Sequence, residues 1–204
     1  MMKDGDKNYS SNNLFPVFLK LEQMKVLLVG AGNVGLEKLN AIITNAPATQ
    51  VLVVAKEIST EFAGTAAMFE NIKIVREVYH ASFIDDAVDI VIAAVNDLEL
   101  SKVIRNDAKQ KGKLINVADK PELCDFYLGS VVTKGNLKLA ISTNGKSPTV
   151  AKRLKEIFNE LLPEEIDEVL NNIQKIRNQL KGDFKNKVHT LNELTKVLVE
   201  DESN

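Results

Sequence analysis

The stretch VLLVGAGNVGLEKL, residues 26–39, decides the fold. It begins with an apolar run over 26–30 that has the β-branched content of a buried strand, and it continues into a helical pattern over 33–45. The apolar positions at helical spacing are Val34, Leu39, Ile42 and Ile43. Three glycines with the spacing G-x-G-x-x-G lie between the strand and the helix, which is the context this motif needs to bind a dinucleotide.

Each glycine of the motif has a separate physical role. Gly30 permits the tight turn, Gly32 lets a pyrophosphate approach the backbone, and Gly35 lets the helix pack closely on the strand. The N-terminus of the helix supplies unpaired N–H groups for the anion. The alternative is a glycine turn that only packing requires.

The acid that usually holds the ribose hydroxyls is missing from its expected place. It should end the second strand, about 20 residues after the glycines. A buried strand is predicted over 51–55, and the chain continues there as Val54-Ala55-Lys56-Glu57. Glu57 lies slightly late, and Lys56 suits a 2′-phosphate equally well. The choice between NAD and NADP therefore stays open on these residues.

The rest of the first half alternates strands and helices. Strands are predicted over 71–78, nearer a sheet edge, over 89–95 and over 113–118, with a helix over 97–111. Such alternation implies right-handed crossovers and a doubly wound parallel sheet of the Rossmann-like α/β class. Beyond it, 126–143 contains two strand-like runs broken by KGN, a hairpin signal, and helices follow over 148–161, 163–181 and 183–200. The expected divisions are a flexible tail (1–13), a cofactor-binding domain (14–118), a β-hairpin region (119–147) and a helical domain (148–204).

Two strand ends offer polar groups to the crevice of such a sheet. Asn96 and Asp97 end the run AAVND, where we expect them to face a cofactor; the alternative is that Asp97 only caps the next helix. Asp119 follows the strand over 113–118, and a carboxylate there can accept a proton while hydride leaves to a nicotinamide. The competing interpretation of Asp119 is a simple turn before Lys-Pro.

The run AISTNGKSP, 140–148, imitates a phosphate loop. The first glycine of a Walker motif would fall at Ala140, and Pro148 removes a backbone donor, so ATP or GTP binding is disfavoured. Ser147 and Pro148 instead favour a helix start, and the nearby cations Lys146, Lys152 and Arg153 make that helix end suitable for a carboxylate. A solvated basic face is the alternative.

Composition narrows the function classes. With 26 basic and 28 acidic residues, a formal charge of −2 gives no global attraction to nucleic acid or to a membrane. The single cysteine, Cys124, excludes an intramolecular disulfide and a cysteine-rich zinc site, and is expected to be a small buried residue. His80 and His189 are expected at the surface, and no residues have convincing metal-ligand spacing. With no signal-like or membrane-spanning stretch, a cytoplasmic protein is expected.

Four segments occur in an order that resembles one family. They are LFPVFLKLEQMKVLLVGAGNVGLEKL, AAVND, NVADKPELCDF and AISTNGKSPTVAKRLKE, within 14–165. Together they resemble precorrin-2 dehydrogenase, the sirohydrochlorin-forming enzyme of siroheme synthesis, and the N-terminal module of multifunctional siroheme synthases. The resemblance implies NAD-dependent oxidation of precorrin-2 by a homodimer, and some members also insert ferrous iron to give siroheme.

The resemblance also assigns residues. It matches Asp119 to the catalytic aspartate, Asn33, Val34, Lys56 and Glu57 to positions that contact NAD, and the run Thr143, Asn144, Gly145, Lys146, Ser147 to the segment beside the tetrapyrrole. Two departures are Glu37-Lys38, where Arg-Lys is common, and Asn144, where glycine is common. The competing function is a non-enzymatic Rossmann module that senses NAD(H). That reading gives Asp119 and the basic helix start no role and normally needs an acid at the end of the second strand.

Overall fold

The computed structural model describes residues 12–180 and 184–196. The chain divides into two compact units between Leu128 and Gly129, and each is described by itself. The predicted tail 1–13 and the end of the helix predicted over 183–200 lie largely outside the described residues.

The first unit is a five-stranded parallel sheet with helices between its strands. The strands are β1 (Lys25–Ala31), β2 (Gln50–Ile58), β3 (Ile72–Val75), β4 (Ile90–Ala93) and β5 (Leu114–Val117), in the spatial order β3-β2-β1-β4-β5. The helices are α1 (Asn33–Asn45), α2 (Thr60–Ala66) and α3 (Leu98–Gln110). This order confirms the Rossmann-like class, and it reverses between β1 and β4, where such sheets bind their ligands.

Both faces of the sheet are covered, because the central strands are apolar on both sides. Leu28 and Phe62 belong to one buried cluster, and Leu27 and Ile104 belong to another on the opposite face. Alternate residues of β1 thus serve different clusters, as the period of two in a strand requires. The predicted doubly wound packing is confirmed.

Several element bounds differ from the sequence expectation. The strand predicted over 51–55 extends to Ile58, since Ala31 pairs with Ile58 and accepts a hydrogen bond from Ser59 N, 3.1 Å away. The strand predicted over 71–78 ends at Val75, where a tight turn begins. Helix α2 was not predicted; it begins at Thr60, after the cap Ser59, whose side chain accepts a hydrogen bond from Phe62 N.

The second unit is a hairpin followed by helices. Strands β6 (Ser130–Lys134) and β7 (Leu137–Ile141) pair antiparallel around the predicted KGN turn, and α4 (Pro148–Leu161), α5 (Ile166–Gln179) and α6 (Phe184–Thr195) follow. Asp167 on α5 accepts hydrogen bonds from both nitrogens of Asn136, at 2.6 and 2.8 Å, so the start of α5 is fastened to the hairpin turn. The amide of Asn136 is the main cause that holds the pKa of the Asp167 carboxyl below its usual range.

Candidate cofactor and catalytic site

Two glycines of the motif are fixed by close backbone packing. Gly30 has a φ of 105°, and a Cβ there would lie less than 3.0 Å from the carbonyl oxygen of Ala94. A Cβ at Gly35 would overlap the carbonyl oxygen of Gly30 in the same way. The first glycine therefore brings the end of β1 against the chain leaving β4, and the third seats α1 on β1.

The middle glycine differs, because it borders open space. A Cβ at Gly32 would meet no atom within 4 Å, and its backbone angles, φ −87° and ψ −162°, suit any residue. Packing therefore gives no reason for glycine here, whereas close approach of a ligand does.

Helix α1 also begins without a side-chain cap. In the described part of the chain, the side chains of Ser59, Asp97 and Ser147 cap α2, α3 and α4, but Gly32 provides no such bond to α1. The first-turn amides of α1, which include those of Asn33 and Val34, are therefore available to an anion, and the helix dipole favours negative charge at that place. This geometry fits the pyrophosphate of a dinucleotide.

Lys56 and Glu57 lie within β2 rather than after it. The pairing jumps from Val29–Val54 to Ala31–Ile58, so two steps along β1 correspond to four along β2. Both side chains are exposed, on the part of β2 that lies beside the end of β1 and its glycine turn. Their position suits the adenosine ribose, and both a carboxylate and an ammonium are offered there.

The residues after β4 divide their roles. Asp97 Oδ1 accepts hydrogen bonds from Glu99 N (2.8 Å) and Leu100 N (3.1 Å), so Asp97 caps α3. Asn96 is exposed, and no partner of its side chain is found within the described ranges. Of these two residues, Asn96 is therefore the one whose side chain remains available for a ligand.

Asp119 occupies a turn at the carboxyl end of β5. The amide of Lys120 donates to the carbonyl of Val117 (3.3 Å), and Asp119 adopts a φ of 59° inside this turn. Aspartate tolerates this left-handed conformation better than most residues. The expected turn and the expected carboxylate at the sheet edge are thus the same residue.

The chain after Asp119 folds back along the outer edge of β5, and we call residues 121–126 the strap. Asp125 exchanges hydrogen bonds with Ile115, donating its amide to the carbonyl (2.8 Å) and accepting the Ile115 amide on Oδ2 (3.2 Å). The thiol of Cys124 does the same for Val117, at 3.2 Å in both directions. Burial is the main cause that raises the pKa of this thiol, which therefore has a structural role.

Most polar side chains of the NVADKPELCDF segment have such a structural explanation, and Glu122 and Asp119 are the exposed exceptions among the described residues. Asn116 is buried and donates to the carbonyl of Phe126 (2.8 Å), and Asp125 also pairs with Lys109 (2.8 Å). The carboxylate of Asp119, in contrast, is exposed and has no partner among the residues that the structure describes. The turn explains an aspartate at this position, but no contact uses its carboxylate, and the place of that carboxylate at the carboxyl end of β5 favours a chemical role.

Lys120 is a residue that the sequence analysis did not single out. Its half-buried side chain reaches across the edge of the sheet, and Nζ lies 3.4 Å from the carbonyl oxygen of Val95. Its place beside Asp119 gives no distinguishing signal in the sequence, because the partner of its ammonium becomes known only from the fold.

The segment Thr143–Ser147, in the second unit, forms a closed turn. Lys146 N donates to Thr143 O (3.0 Å), and Asn144 and Gly145 have φ values of 53° and 74°. The two central positive φ angles suit asparagine followed by glycine, which explains Asn144 where glycine is common. Ser147 then caps α4 through Val150 N (3.2 Å), and Pro148 is the first residue of that helix. The predicted helix start is confirmed.

The two histidines lie at the surface, as the sequence predicted. His80 is exposed beside Glu77 and Ser82, and His189 is exposed on α6. Over 12–180 and 184–196 no three or more histidine, cysteine, aspartate or glutamate side chains cluster as a metal site would need. In the same ranges no helix has the length and apolar character needed to cross a membrane.

Comparison with known proteins agrees with this geometry. The family model described as "Putative NAD(P)-binding" matches residues 17–130, and the model described as "Sirohaem biosynthesis protein central" matches residues 134–161. The first match spans more than half of the chain. The chain therefore belongs to this NAD(P)-binding family.

Particular relatives point the same way. A siroheme synthase of Psychrobacter cryohalolentis is 34% identical over 179 residues, which cover 88% of this chain and 33% of that protein, and siroheme synthase 1 of Cronobacter sakazakii is 36% identical over 157 residues, 72% and 31% respectively. The chain thus spans about a third of the length of these relatives. The solved structure "SirC, precorrin-2 dehydrogenase" shares the fold, with a TM-score of 0.68 and 23% identity over 93% of this chain and 91% of that one. The resemblance to the N-terminal module of siroheme synthases is confirmed.

Proposed function

We propose that the protein oxidises precorrin-2 to sirohydrochlorin with NAD, acting in the cytoplasm. The observation that carries this proposal is the uncapped, glycine-started helix α1 on the same sheet edge as the unexplained carboxylate of Asp119. The siroheme synthase relatives and the precorrin-2 dehydrogenase with the same fold support the substrate.

The cofactor site that we propose consists of Gly30, Gly32, Asn33, Val34 and Gly35, with Lys56, Glu57 and Asn96 at its sides. The first-turn amides of α1 hold the pyrophosphate, and Gly32 gives it room to approach. We assign Glu57 to the ribose hydroxyls and hence propose NAD; the adjacent Lys56 makes a direct comparison of NAD and NADP affinities the test of that choice. A lower Kd for NADP would overturn the assignment.

The chemistry divides between the cofactor and Asp119. A bound nicotinamide supplies the hydride acceptor. Asp119 accepts the proton that leaves the substrate as the new double bond forms, for which an exposed, unpartnered carboxylate at the sheet edge is suited. The strap holds the turn that carries Asp119, because Cys124 and Asp125 of the strap are hydrogen-bonded to Val117 and Ile115 of β5.

For the substrate we propose the segment Thr143–Ser147 and the cations that follow it. A tetrapyrrole carries many carboxylates, and Lys152 and Arg153 are exposed near the start of α4. The helix start adds the favourable end of a dipole. The functional divisions that we propose remain 14–118 for the cofactor, 119–147 for catalysis and dimerisation, and 148–204 for the helical part.

We also propose a homodimer, supported by apolar side chains that the second unit leaves uncovered. On α4, Ile157 and Leu161 are 54% and 70% exposed. Contiguous exposure of this kind marks an interaction surface. Light scattering after size-exclusion chromatography tests it, and a monomer at micromolar concentration would contradict it.

The deciding experiment is anaerobic incubation of the purified protein with precorrin-2 and NAD, followed by absorbance. Sirohydrochlorin appearing together with an equal amount of NADH supports the proposal. Ferrous iron added to the same cuvette then tests whether this chain also makes siroheme. Bound NAD without any product would instead favour a sensor module.

A further inference from the structure

We propose that Lys120 is a positioning residue, which holds the loop bearing Asn96 at a fixed place relative to Asp119. Its ammonium donates to the carbonyl of Val95, the residue immediately before Asn96, and Lys120 itself immediately follows Asp119. The hydrogen bond therefore joins the loop of Asn96, which we propose contacts the cofactor, to the loop of Asp119, which we propose is the general base. This inference rests on the proposed function.

The backbone of Lys120 is suited to be one end of such a link, because both of its polar groups are held. Its N–H donates to Val117 O (3.3 Å), and its carbonyl accepts from Leu123 N (3.0 Å). The side chain thus begins from a fixed base. Because the side chain is held at its backbone and hydrogen-bonded at its ammonium, it has little conformational freedom. It can therefore fix the position of one loop relative to the other.

The other end of the link needs a partner to hold it. Beyond Ala94, whose amide donates to Val29 O at 2.8 Å, the chain leaves the sheet and is next fixed where Asp97 caps α3. Val95 and Asn96 lie between these points. The bond from Lys120 to Val95 O fastens this short segment in its middle, beside the crevice of the sheet.

The chain offers a matched control at the opposite end of β5. Lys113, also half-buried, precedes β5 and donates from Nζ to the carbonyl of Asp86 (3.0 Å), a link of the same chemistry between loops at the amino edge of the sheet. Lys113→Met removes an equivalent bond without touching the site. A loss of exchange protection or of kcat that Lys120→Met shows and Lys113→Met does not is therefore specific to the carboxyl edge of the sheet.

Hydrogen exchange gives a readout that needs no activity. The amides of Ala94 and Ala118 are both bonded within the sheet, to Val29 O and Ala93 O, and each lies next to one end of the link. Losing a hydrogen bond of ordinary net strength should speed their exchange about five-fold in Lys120→Met. Lys113→Met should leave both rates unchanged, and Lys120→Arg should restore them, because a guanidinium also donates to a carbonyl.

Kinetics separates positioning from simple attraction of an anionic substrate. We expect Lys120→Met to lower kcat on the order of ten-fold through misplacement, with the KM for precorrin-2 changed by less than about two-fold. A raised KM at unchanged kcat would overturn the proposal in favour of direct carboxylate binding. Unchanged exchange at Ala94 and Ala118 would overturn it also. If the wild-type protein makes no sirohydrochlorin, the proposed function fails, while the exchange rates still decide whether the link exists.

Discussion

Replacing Gly32 and Gly35 by alanine, one at a time, should separate cofactor binding from folding. At Gly32 the added methyl group enters open space on a backbone that alanine adopts freely, so the free energy of unfolding should change by less than about 1 kcal/mol. At Gly35 the methyl group overlaps the carbonyl oxygen of Gly30, which is backbone and cannot turn aside. Overpacking of this kind costs about 2 kcal/mol, which lowers Tm by roughly 4–8 °C in a chain of this size.

The cofactor affinities should follow the opposite order. The methyl group at position 32 keeps the pyrophosphate away from the first-turn amides, and losing one or two charge-assisted hydrogen bonds weakens binding about ten- to hundred-fold. The Gly35→Ala protein, measured well below its Tm, should bind NAD closer to the wild-type level. Circular dichroism gives the Tm, and isothermal titration with NAD gives the Kd.

The outcome that refutes this reasoning is specific. If Gly32→Ala binds NAD as the wild type does, the pyrophosphate does not approach position 32, and the uncapped helix start is not the anion site. If Gly35→Ala leaves the Tm unchanged, the close packing of α1 on β1 is wrong. The Kd of Gly32→Ala tests only the anion site, and the Tm of Gly35→Ala tests only the packing of α1, so each measurement can refute its own step of the argument.

Three further outcomes are expected. Asp119→Asn should lower kcat at least about a hundred-fold with NAD affinity retained, because asparagine tolerates the φ of 59° but cannot accept the proton; turnover near the wild-type rate would remove Asp119 from the mechanism. Lys146→Glu should weaken tetrapyrrole binding more than NAD binding in parallel titrations, whereas equal losses would indicate misfolding. Since the pKa of Asp167 is lowered in the fold, its contribution to folding stability is complete above roughly pH 4 and is lost as the pH falls through that lowered pKa. The protection factors of the hairpin amides, which are corrected for the pH dependence of intrinsic exchange, should therefore fall in acid, and Asp167→Asn should lose this dependence; an identical acid response of the protection factors in both proteins would contradict it.

The sequence predicted the first unit well because its signals are local. The helical period and the glycines fixed α1 at Asn33–Asn45, and the β-branched runs located every parallel strand. It did not predict how far β2 extends, since that depends on the irregular pairing of β2 with Ala31. Such pairing joins residues far apart in the chain and leaves no period to detect.

The positions of the candidate residues in the fold were predictable to the same degree. Asp119 and Asn96 were expected at the carboxyl edge of the sheet because parallel strands end together there. The left-handed angle of Asp119 and the link from Lys120 to Val95 could not be predicted, because both depend on the path that the strap takes after the turn. A lysine beside an aspartate has no distinguishing pattern until the fold gives it a partner.

The strap has a consequence for how variants of this protein will be judged. The outward amides of Ile115 and Val117 would otherwise form a free edge, on which a strand from another molecule can add. Asp125 and Cys124 occupy those donors instead. Substitutions at these two positions should therefore cause precipitation before they cause slow turnover, and an activity screen on clarified lysate would count them as catalytic losses. Measuring the insoluble fraction beside the activity distinguishes a protein that aggregates from one that cannot transfer a hydride.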